Sequence, residues 1–197
     1  MKLQMNIRQT LSIALGLFAA TFAVSSSAIE DIVVDYSFQG SAPTNLSNMK
    51  ATLHFAEFID SRSGADANLL TDKDLGLGSA DGYQLDQAAA EVVRGALLGA
   101  FTSADAKLVD SDGEMYIAGD LLGIDAQIVD RAGVESIQIT FRTNIQLRSG
   151  SRMIWQTTIF GRGTRPAEEG IQATIHAAMK RTIDDLLLDD YFLAEIR

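Results

Sequence analysis

The sequence predicts an α+β fold in which an antiparallel β-sheet carries two helices packed on one face. Several stretches have the residue pattern of strands, and two segments carry apolar residues at helical spacing. A strand near the middle of the C-terminal half, residues 136–148, alternates cleanly between apolar and polar side chains. A strand of that kind has one buried and one wet face, so both helices are expected on the buried side.

The N-terminal 28 residues have the pattern of a secretory signal peptide. Lys2 and Arg8 form a positive leading region, and residues 11–24 are almost entirely apolar and carry no charge. Ser26 and Ala28 place small residues at the −3 and −1 positions of a cleavage site. The apolar run is shorter than the roughly 20 residues that span a bilayer. We therefore expect a cleaved signal peptide, with an uncleaved membrane anchor as the alternative.

Composition limits what the remaining chain can do. Residues 29–197 are expected to form a single periplasmic or secreted domain, long enough to bury a core. The sequence has no cysteine, which excludes disulfides, thiolate metal sites and a cysteine nucleophile. The formal charge is −10, and it becomes −12 without residues 1–28, which contain two bases and no acid. Such an acidic protein is a poor candidate for binding nucleic acid.

The N-terminal half of this domain predicts two strands and a long polar segment. Residues 31–38 and 51–59 alternate as strands do, and residues 40–48 between them are rich in loop formers. The second strand is expected to place Leu53, Phe55 and Ile59 on one face and His54, Ala56 and Phe58 on the other. Residues 60–82 follow as an unusually long loop, which is either functional or mobile.

Two helices are predicted from capping residues and apolar spacing. Asp81 as N-cap with Gln84 three residues later has the spacing of a capping box, followed by a helix over about 85–104. Pro166 suits the first turn of the last helix, which runs to about Leu188. Three residues after that helix are expected to seal an edge of the core: Tyr191, Phe192 and Leu193.

Three strands lie between the helices, over about 115–129, 136–148 and 152–163. A three-residue turn, Ser149–Ser151, is favoured over a two-residue turn because it keeps apolar residues opposite one another. Gly161 and Gly163 are expected on the core face, where they let a helix approach closely. The resulting register pairs Leu147 with Met153, Ile145 with Trp155, Phe141 with Ile159 and Arg148 with Arg152.

An arginine-rich surface follows from the same register. Residues 136–165 contain five arginines and no acid, whereas the rest of the mature chain has a charge of −17. We expect four of these arginines to share the wet face of the hairpin and to bind an envelope protein or anionic lipid headgroups. The simpler alternative is that the protein's own acids or solvent compensate them. The four predicted binding residues are Arg142, Arg148, Arg152 and Arg162.

No catalytic residue, metal ligand or cofactor is predicted. His54 and His176 are interpreted as surface histidines without a diagnostic Ser or carboxylate partner. The acidic groups around 72–74 and 110–114 lack the glycine of a calcium loop, and Asp81 replaces the third glycine of a dinucleotide fingerprint at 76–81. Both acidic groups are interpreted as turns, and Gly76 and Gly78 are not interpreted as a nucleotide site.

The residues that follow the second strand allow two interpretations. Asp60, Ser61 and Arg62 form either a strand-end turn with a local ion pair, which we favour, or a polar binding loop. The main alternative function also depends on this region, since a secreted hydrolase would use carboxylates of residues 60–81.

The order of elements carries a family resemblance. From Ala51 to the end, the layout resembles the YajG-like family of bacterial envelope lipoproteins and, more distantly, the auxiliary lipoproteins of envelope ABC transporters. The resemblance rests on the strand ending in Phe58, Ile59, Asp60, Ser61 and Arg62, the helix from Leu85, the hairpin from Ile137 to Trp155 and the helix from Ile171.

The resemblance implies a periplasmic, non-enzymatic protein associated with the outer membrane. Proteins of this kind carry a lipobox cysteine, and here Ser25, Ser26, Ser27 and Ala28 stand in its place, so the resemblance does not extend to a lipid tether. The leading hypothesis is a non-catalytic envelope binding or accessory module, serving transport or outer-membrane assembly. A purely structural subunit of an envelope assembly is a third hypothesis.

Overall fold

The computed structural model describes residues 28–36, 38, 42–78 and 80–197. The signal-peptide prediction falls on residues 1–28 and, apart from Ala28, lies outside this part of the chain. Within the described residues, no helix combines the length and apolar character needed to cross a membrane. The elements in chain order are β1 (Ile29–Ile32), β2 (Leu53–Asp60), β3 (Leu69–Thr71), β4 (Gly82–Leu85), α1 (Ala89–Ser103), β5 (Met115–Arg131), β6 (Val134–Ser149), β7 (Arg152–Pro166), a 3-10 turn (Ala167–Glu169), α2 (Gly170–Leu187) and α3 (Asp190–Ile196).

The predicted α+β class is confirmed, with two sheets in place of one. The large sheet has the strand order β2-β5-β6-β7, and the small sheet has the order β1-β4-β3. Strands β5, β6 and β7 form the predicted antiparallel meander, but β2 runs parallel to β5 and β1 runs parallel to β4. Helix α1 packs over β2 and β5, and α2 packs over β6 and β7, so the two long helices share one face of the large sheet.

The core lies between the large sheet and these helices. Alternate residues of β6 are buried on this side, and they face buried residues of α1 and α2. Aromatic rings join the layers, with Phe55 of β2 against Phe101 of α1 and Phe101 against Phe192 of α3. The strictly alternating residues of β6 in this core are Ile137, Ile139, Phe141, Ile145 and Leu147.

Two glycines of β7 set the distance between α2 and the sheet. A Cβ atom on Gly163 would lie 2.2 Å from the carbonyl oxygen of Thr174, and one on Gly161 would lie 1.8 Å from Oγ1 of Thr182. No side chain fits at such distances, so α2 can pack here only against glycine. The prediction that Gly161 and Gly163 let a helix approach is confirmed.

The N-terminus of α1 was predicted wrongly. Residues 82–85 form β4, in which Tyr83 and Leu85 are buried, and the helix begins at Ala89 after Ala88 as N-cap. Asp81 and Gln84 therefore do not form a capping box. The apolar residues before Ala89 fit either period, and pairing of β4 with strands on both sides selects the extended form.

Strand β2 differs from its predicted face assignment because of a bulge. Its register with β5 shifts between Phe55 and Phe58, and the extra residue turns Phe58 into the core. Ile59, predicted to be inward, is instead 61% exposed. The first predicted strand, 31–38, is also shorter than expected, since β1 covers Ile29–Ile32.

The predicted register of the β6–β7 hairpin is wrong by two residues over most of its length. The turn contains two residues, with Ser149 opposite Arg152 and Arg148 opposite Met153. A bulge then inserts one residue into β7, and the later pairs are Leu147 with Trp155 and Ile145 with Thr157. A shift of two residues preserves which side chains share a face. Trp155 is therefore on the core side as predicted, but it lies half-buried against Phe192 rather than beside Ile145.

The C-terminal residues close the core. Helix α2 ends at Leu187, and Asp189 caps α3 by accepting a hydrogen bond from the backbone N–H of Phe192 at 2.8 Å. Phe192 and Leu193 are buried as predicted, whereas Tyr191 is 82% exposed. Pro166 is the last residue of β7 and precedes the 3-10 turn, so it does not lie in the first turn of α2.

Candidate binding surface

The face of the large sheet opposite the helices is called the open face here. It carries the polar residues of β6 that alternate with the core residues, together with their neighbours on β5 and β7. Phe160 of β7 belongs to it and is 54% exposed. A large exposed aromatic on a polar sheet face is a feature of interaction surfaces. The remaining residues of β6 and β7 on this face are Ser136, Gln138, Thr140, Arg142, Asn144, Gln146, Arg148, Met153, Gln156, Thr158, Arg162, Thr164 and Pro166.

Arg142 lies beside Phe160 on the open face. These two residues are directly opposite in the register, and both line a cavity of about 220 Å³ with Thr140. The guanidinium of Arg142 donates to the carbonyl oxygen of Leu122 at 3.2 Å. It lies over Gly123, whose added Cβ would be 3.3 Å from Nη2. The glycine thus leaves space for the guanidinium to rest on the sheet, and this contact orients Arg142.

Arg148 is held by its neighbours near the other end of β6. Its Nη1 donates to Oε1 of Gln146 at 3.2 Å, and its Nη2 donates to the carbonyl oxygen of Ser151 at 3.3 Å. Gln146 in turn donates to a carboxylate oxygen of Asp120 at 3.1 Å. Arg148 is six residues from Arg142, about 20 Å along the strand. The two arginines therefore belong to different parts of the open face.

The structure separates Arg152 from the other predicted binding residues. Arg152 is opposite Ser149, which shares the alternation of the core residues, so Arg152 belongs to the helix side at the turn. Arg162 is opposite Thr140 and lies diagonal to Arg142 on the open face. The prediction of four cations on one surface is thus corrected to three, because the two-residue turn and the bulge move Arg152 to the other face.

Compensation of these arginines by the protein's own acids was the alternative explanation. In the part of the chain that the structure describes, none of Arg142, Arg148, Arg152 and Arg162 forms an ion pair. Their binding role remains a prediction, but these cations have no acidic partner within the described domain. Two aspartates, Asp120 and Asp125, also lie on the open face, so its charge is mixed.

Arg62 has a structural role in the segment after β2. Its guanidinium pairs with the Asp60 carboxylate at 2.7 Å and donates to the backbone carbonyls of Asp66, Ala67 and Leu69. The Arg62 side chain is only 8% exposed. Burial by itself raises the pKa of Asp60, but the hydrogen bonds and charge of Arg62 outweigh it and hold the pKa below its ordinary value. The favoured interpretation, a strand-end turn with a local ion pair, is confirmed.

Asp74 and His54 have local partners within the fold. Asp74 accepts a hydrogen bond from the backbone N–H of Gly76 at 2.6 Å, as in an Asx turn. Nδ1 of His54 accepts from the backbone N–H of Gly113 at 3.2 Å, and the ring stacks on Tyr116. Over the described ranges, no group of three or more histidines and carboxylates is arranged to hold a metal ion.

His176 is half-buried instead of lying on the surface. Its ring packs edge-to-face with Tyr36 at a centroid distance of 5.2 Å, and its Nε2 is buried without a hydrogen-bond partner. Burial, aided by the Asp184 carboxylate, raises the pKa of Tyr36 to about 12. Sequence periodicity placed His176 beside the apolar stripe of α2, but it could not show that a distant segment covers it.

Two features described above were not predicted from the sequence: the exposed Phe160 and the backbone contacts of Arg62. Phe160 stands in a strand whose neighbouring open-face residues are polar, and this break in the alternation was the available signal. The backbone hydrogen bonds of Arg62 left no signal in the pattern, because they join it to carbonyls that any residue supplies.

Comparison with known proteins identifies the fold. No protein-family model matches the chain, and no curated protein is recognisably similar to it. Among solved structures, protein XCC0632 from Xanthomonas campestris, described as DUF330, is similar with a TM-score of 0.54 and 15% identity, over 80% of this chain and 90% of that chain. The chain therefore has the fold of that protein.

Two further structures are similar at a lower level. A minor lipoprotein from Acinetobacter baumannii has a TM-score of 0.36 and 10% identity, over 74% of this chain and 89% of that one. The PelC dodecamer from Paraburkholderia phytofirmans has a TM-score of 0.37 and 12% identity, over 75% and 93%. The YajG-like resemblance is not confirmed by these matches and stays a prediction.

Proposed function

We propose that this chain is a non-catalytic accessory module of the bacterial cell envelope that binds a partner protein through the β6–β7 side of its large sheet. The observation that carries the proposal is the group formed by Arg142, Phe160 and Arg162. It combines an exposed aromatic ring with two guanidiniums that have no ion pair among the described residues. Arginine and aromatic side chains are the residues most enriched at protein interfaces.

A protein partner is favoured over an anionic membrane by the distribution of charge. Each basic residue near an anionic surface contributes about 1 kcal/mol, but Asp120 and Asp125 lie on the same face as the arginines. The net charge of −12 without residues 1–28 adds a general repulsion from anionic lipid. A protein partner can place a basic group against Asp125, which lines the same cavity as Arg142 and Phe160, whereas an anionic membrane offers no group that would complement it.

An envelope location is supported by the predicted signal peptide and the predicted lipoprotein-like resemblance. The shared fold with the Xanthomonas protein agrees with that resemblance in architecture. Transport and outer-membrane assembly are the processes in which such a module is expected to act.

Site-specific photocrosslinking in living cells tests the proposal. A photoreactive phenylalanine analogue replaces Phe160 in one strain and Tyr191, an exposed aromatic on α3, in a control strain. The proposal expects a defined crosslinked product from position 160 that is absent from position 191 and weakened by Arg142→Gln together with Arg162→Gln. Identical products from both positions would contradict it. Sedimentation of the protein with anionic but not neutral vesicles would support the lipid alternative.

A further inference from the structure

The edges of the large sheet differ in how they are protected. Unpaired edge strands present free N–H and C=O groups, and proteins usually cover them or keep them short. At the β2 edge, Leu53 exchanges backbone hydrogen bonds with Lys107 and Val109 at 3.0 Å. Arg94 of α1 donates to the carbonyls of Ala56 at 3.0 Å and Phe55 at 3.4 Å. The first half of the β2 edge, residues 53–56, is therefore covered from within the protein.

Strand β7 forms the opposite edge and has no such cover in the described chain. It is the last strand in the sheet order, and no backbone hydrogen bond joins it to a described residue outside β6. Beyond the bulge, residues 155–166 keep a regular register with β6, which gives an uninterrupted edge of about 40 Å. An edge of this length can accept a whole additional strand.

The charge of β7 indicates which side chains an added strand should have. β7 contains Arg152, Arg162 and Arg165 and no acid. Arg165 is 3.8 Å from Glu169, and the other two have no ion pair with a described residue. Arg162 lies on the open face, and Arg152 on the helix side near the turn. A strand added along this edge would meet a cation on either face.

We propose that β7 is a strand-addition site for an acidic, extended segment of a partner protein. Main-chain hydrogen bonds to β7 provide affinity, and carboxylates opposite Arg152 and Arg162 provide selectivity. A second copy of this chain added through its own β7 would supply three more arginines and no carboxylate, so it lacks the complementary charge. This inference rests on the proposed function and adds the mode of binding and the chemistry of the partner.

Binding of a synthetic strand tests the proposal. The probe is a fluorescent glutamate–threonine peptide of about fifteen residues, long enough to reach from Arg152 to Pro166. Its glutamates stand at both odd and even positions, so that carboxylates lie on both faces of the added strand. A second peptide keeps the same number of glutamates and carries prolines at both odd and even positions in place of threonines, so it has the same charge but cannot form a ladder. A third replaces glutamate with lysine. The full protein is expected to bind the first peptide by fluorescence anisotropy and to bind neither of the others.

Protein variants and hydrogen exchange locate the contact. Arg152→Gln with Arg162→Gln should weaken binding about tenfold or more, whereas Lys50→Gln with Arg181→Gln removes the same charge elsewhere and should leave it unchanged. Amide hydrogen exchange within residues 155–166 should slow when the peptide binds. Urea unfolding of both variants verifies that they remain folded.

Several outcomes would overturn the inference. Equal binding of the proline peptide would show charge attraction without a ladder. Slower amide hydrogen exchange only outside β7, or an equal loss of peptide affinity in both double variants, would show that the peptide binds elsewhere. If the protein binds anionic vesicles through these arginines but does not bind the peptide, the ligand of this edge is a lipid headgroup and not a peptide strand. If the crosslink from position 160 is found but the glutamate–threonine peptide does not bind, strand addition is wrong and the proposed accessory function is retained. If there is neither crosslink nor peptide binding, both proposals are wrong.

Discussion

At the scale of single residues, Arg62 organises the segment that sequence reasoning left as a polar loop. One guanidinium joins the Asp60 carboxylate to the carbonyls of Asp66, Ala67 and Leu69. The ion pair could be predicted because the two residues are only two positions apart in sequence. The three carbonyl contacts could not, because they depend on where the following backbone turns.

Replacing Arg62 by methionine is expected to lower the free energy of unfolding by about 3 kcal/mol, because it leaves a largely buried carboxylate and carbonyls without donors. Urea unfolding at neutral pH measures the loss. Arg181→Met is the matched control, since that arginine pairs with Asp185 while 61% exposed and should cost less than about 0.5 kcal/mol. Equal small losses in both variants would contradict a structural role for Arg62.

The same ion pair predicts a dependence on pH. The pKa of Asp60 is lowered in the folded state, so its stabilising contribution is complete above its unfolded pKa, about 3.9. It is lost as the pH falls through the lower folded value. The stability difference between wild type and Arg62→Met should therefore shrink between pH 7 and about pH 2.5. Unfolding curves across this range test it, with Asp60→Asn as a variant that lacks the titrating group. A constant difference would show that the ion pair is not responsible.

At the scale of elements, glycine in β7 decides how α2 packs. Gly163→Ala should destabilise the protein by about 2–3 kcal/mol, because the added methyl meets backbone atoms that cannot move alone. Gly95 of α1 is the control: it is exposed and a Cβ there meets nothing within 4 Å. Gly95→Ala should stabilise by about 0.5–1 kcal/mol through helix propensity. The midpoints of thermal and urea unfolding should both fall for Gly163→Ala and both rise for Gly95→Ala.

Elements with one unambiguous period were predicted from sequence, and those shaped by distant pairing were not. Strand β6 alternates from Ser136 to Arg148 apart from Thr143, and α2 has a continuous apolar stripe, so both were predicted with their buried faces. Residues 82–85 could be read with either period, and only pairing with β1 and β3 makes them a strand. The bulges in β2 and β7 also left no sequence signal, and they explain the exposed Ile59 and the displaced Arg152.

At the scale of the whole molecule, charge is distributed unevenly along the chain, and this affects both stability and binding. Residues 29–197 have a formal charge of −12, while residues 136–165 carry +5. Excess negative charge destabilises the compact state through self-repulsion, and salt screens it. The same salt screens attraction between the arginines of β7 and an acidic segment. The two properties should therefore respond to ionic strength in opposite directions.

The expected result is a melting temperature that rises between about 0.02 and 0.3 M sodium chloride, while affinity for the glutamate–threonine peptide falls. Differential scanning calorimetry and fluorescence anisotropy on the same samples measure the two trends. The Arg152→Gln, Arg162→Gln variant provides the control, because its melting temperature should keep the rise while its residual affinity loses most of the salt dependence. A melting temperature that falls with salt would show that attractive surface pairs, such as Lys180 with Asp184, outweigh the self-repulsion. A peptide affinity that does not change with salt would show that charge complementarity does not contribute to binding at the β7 edge.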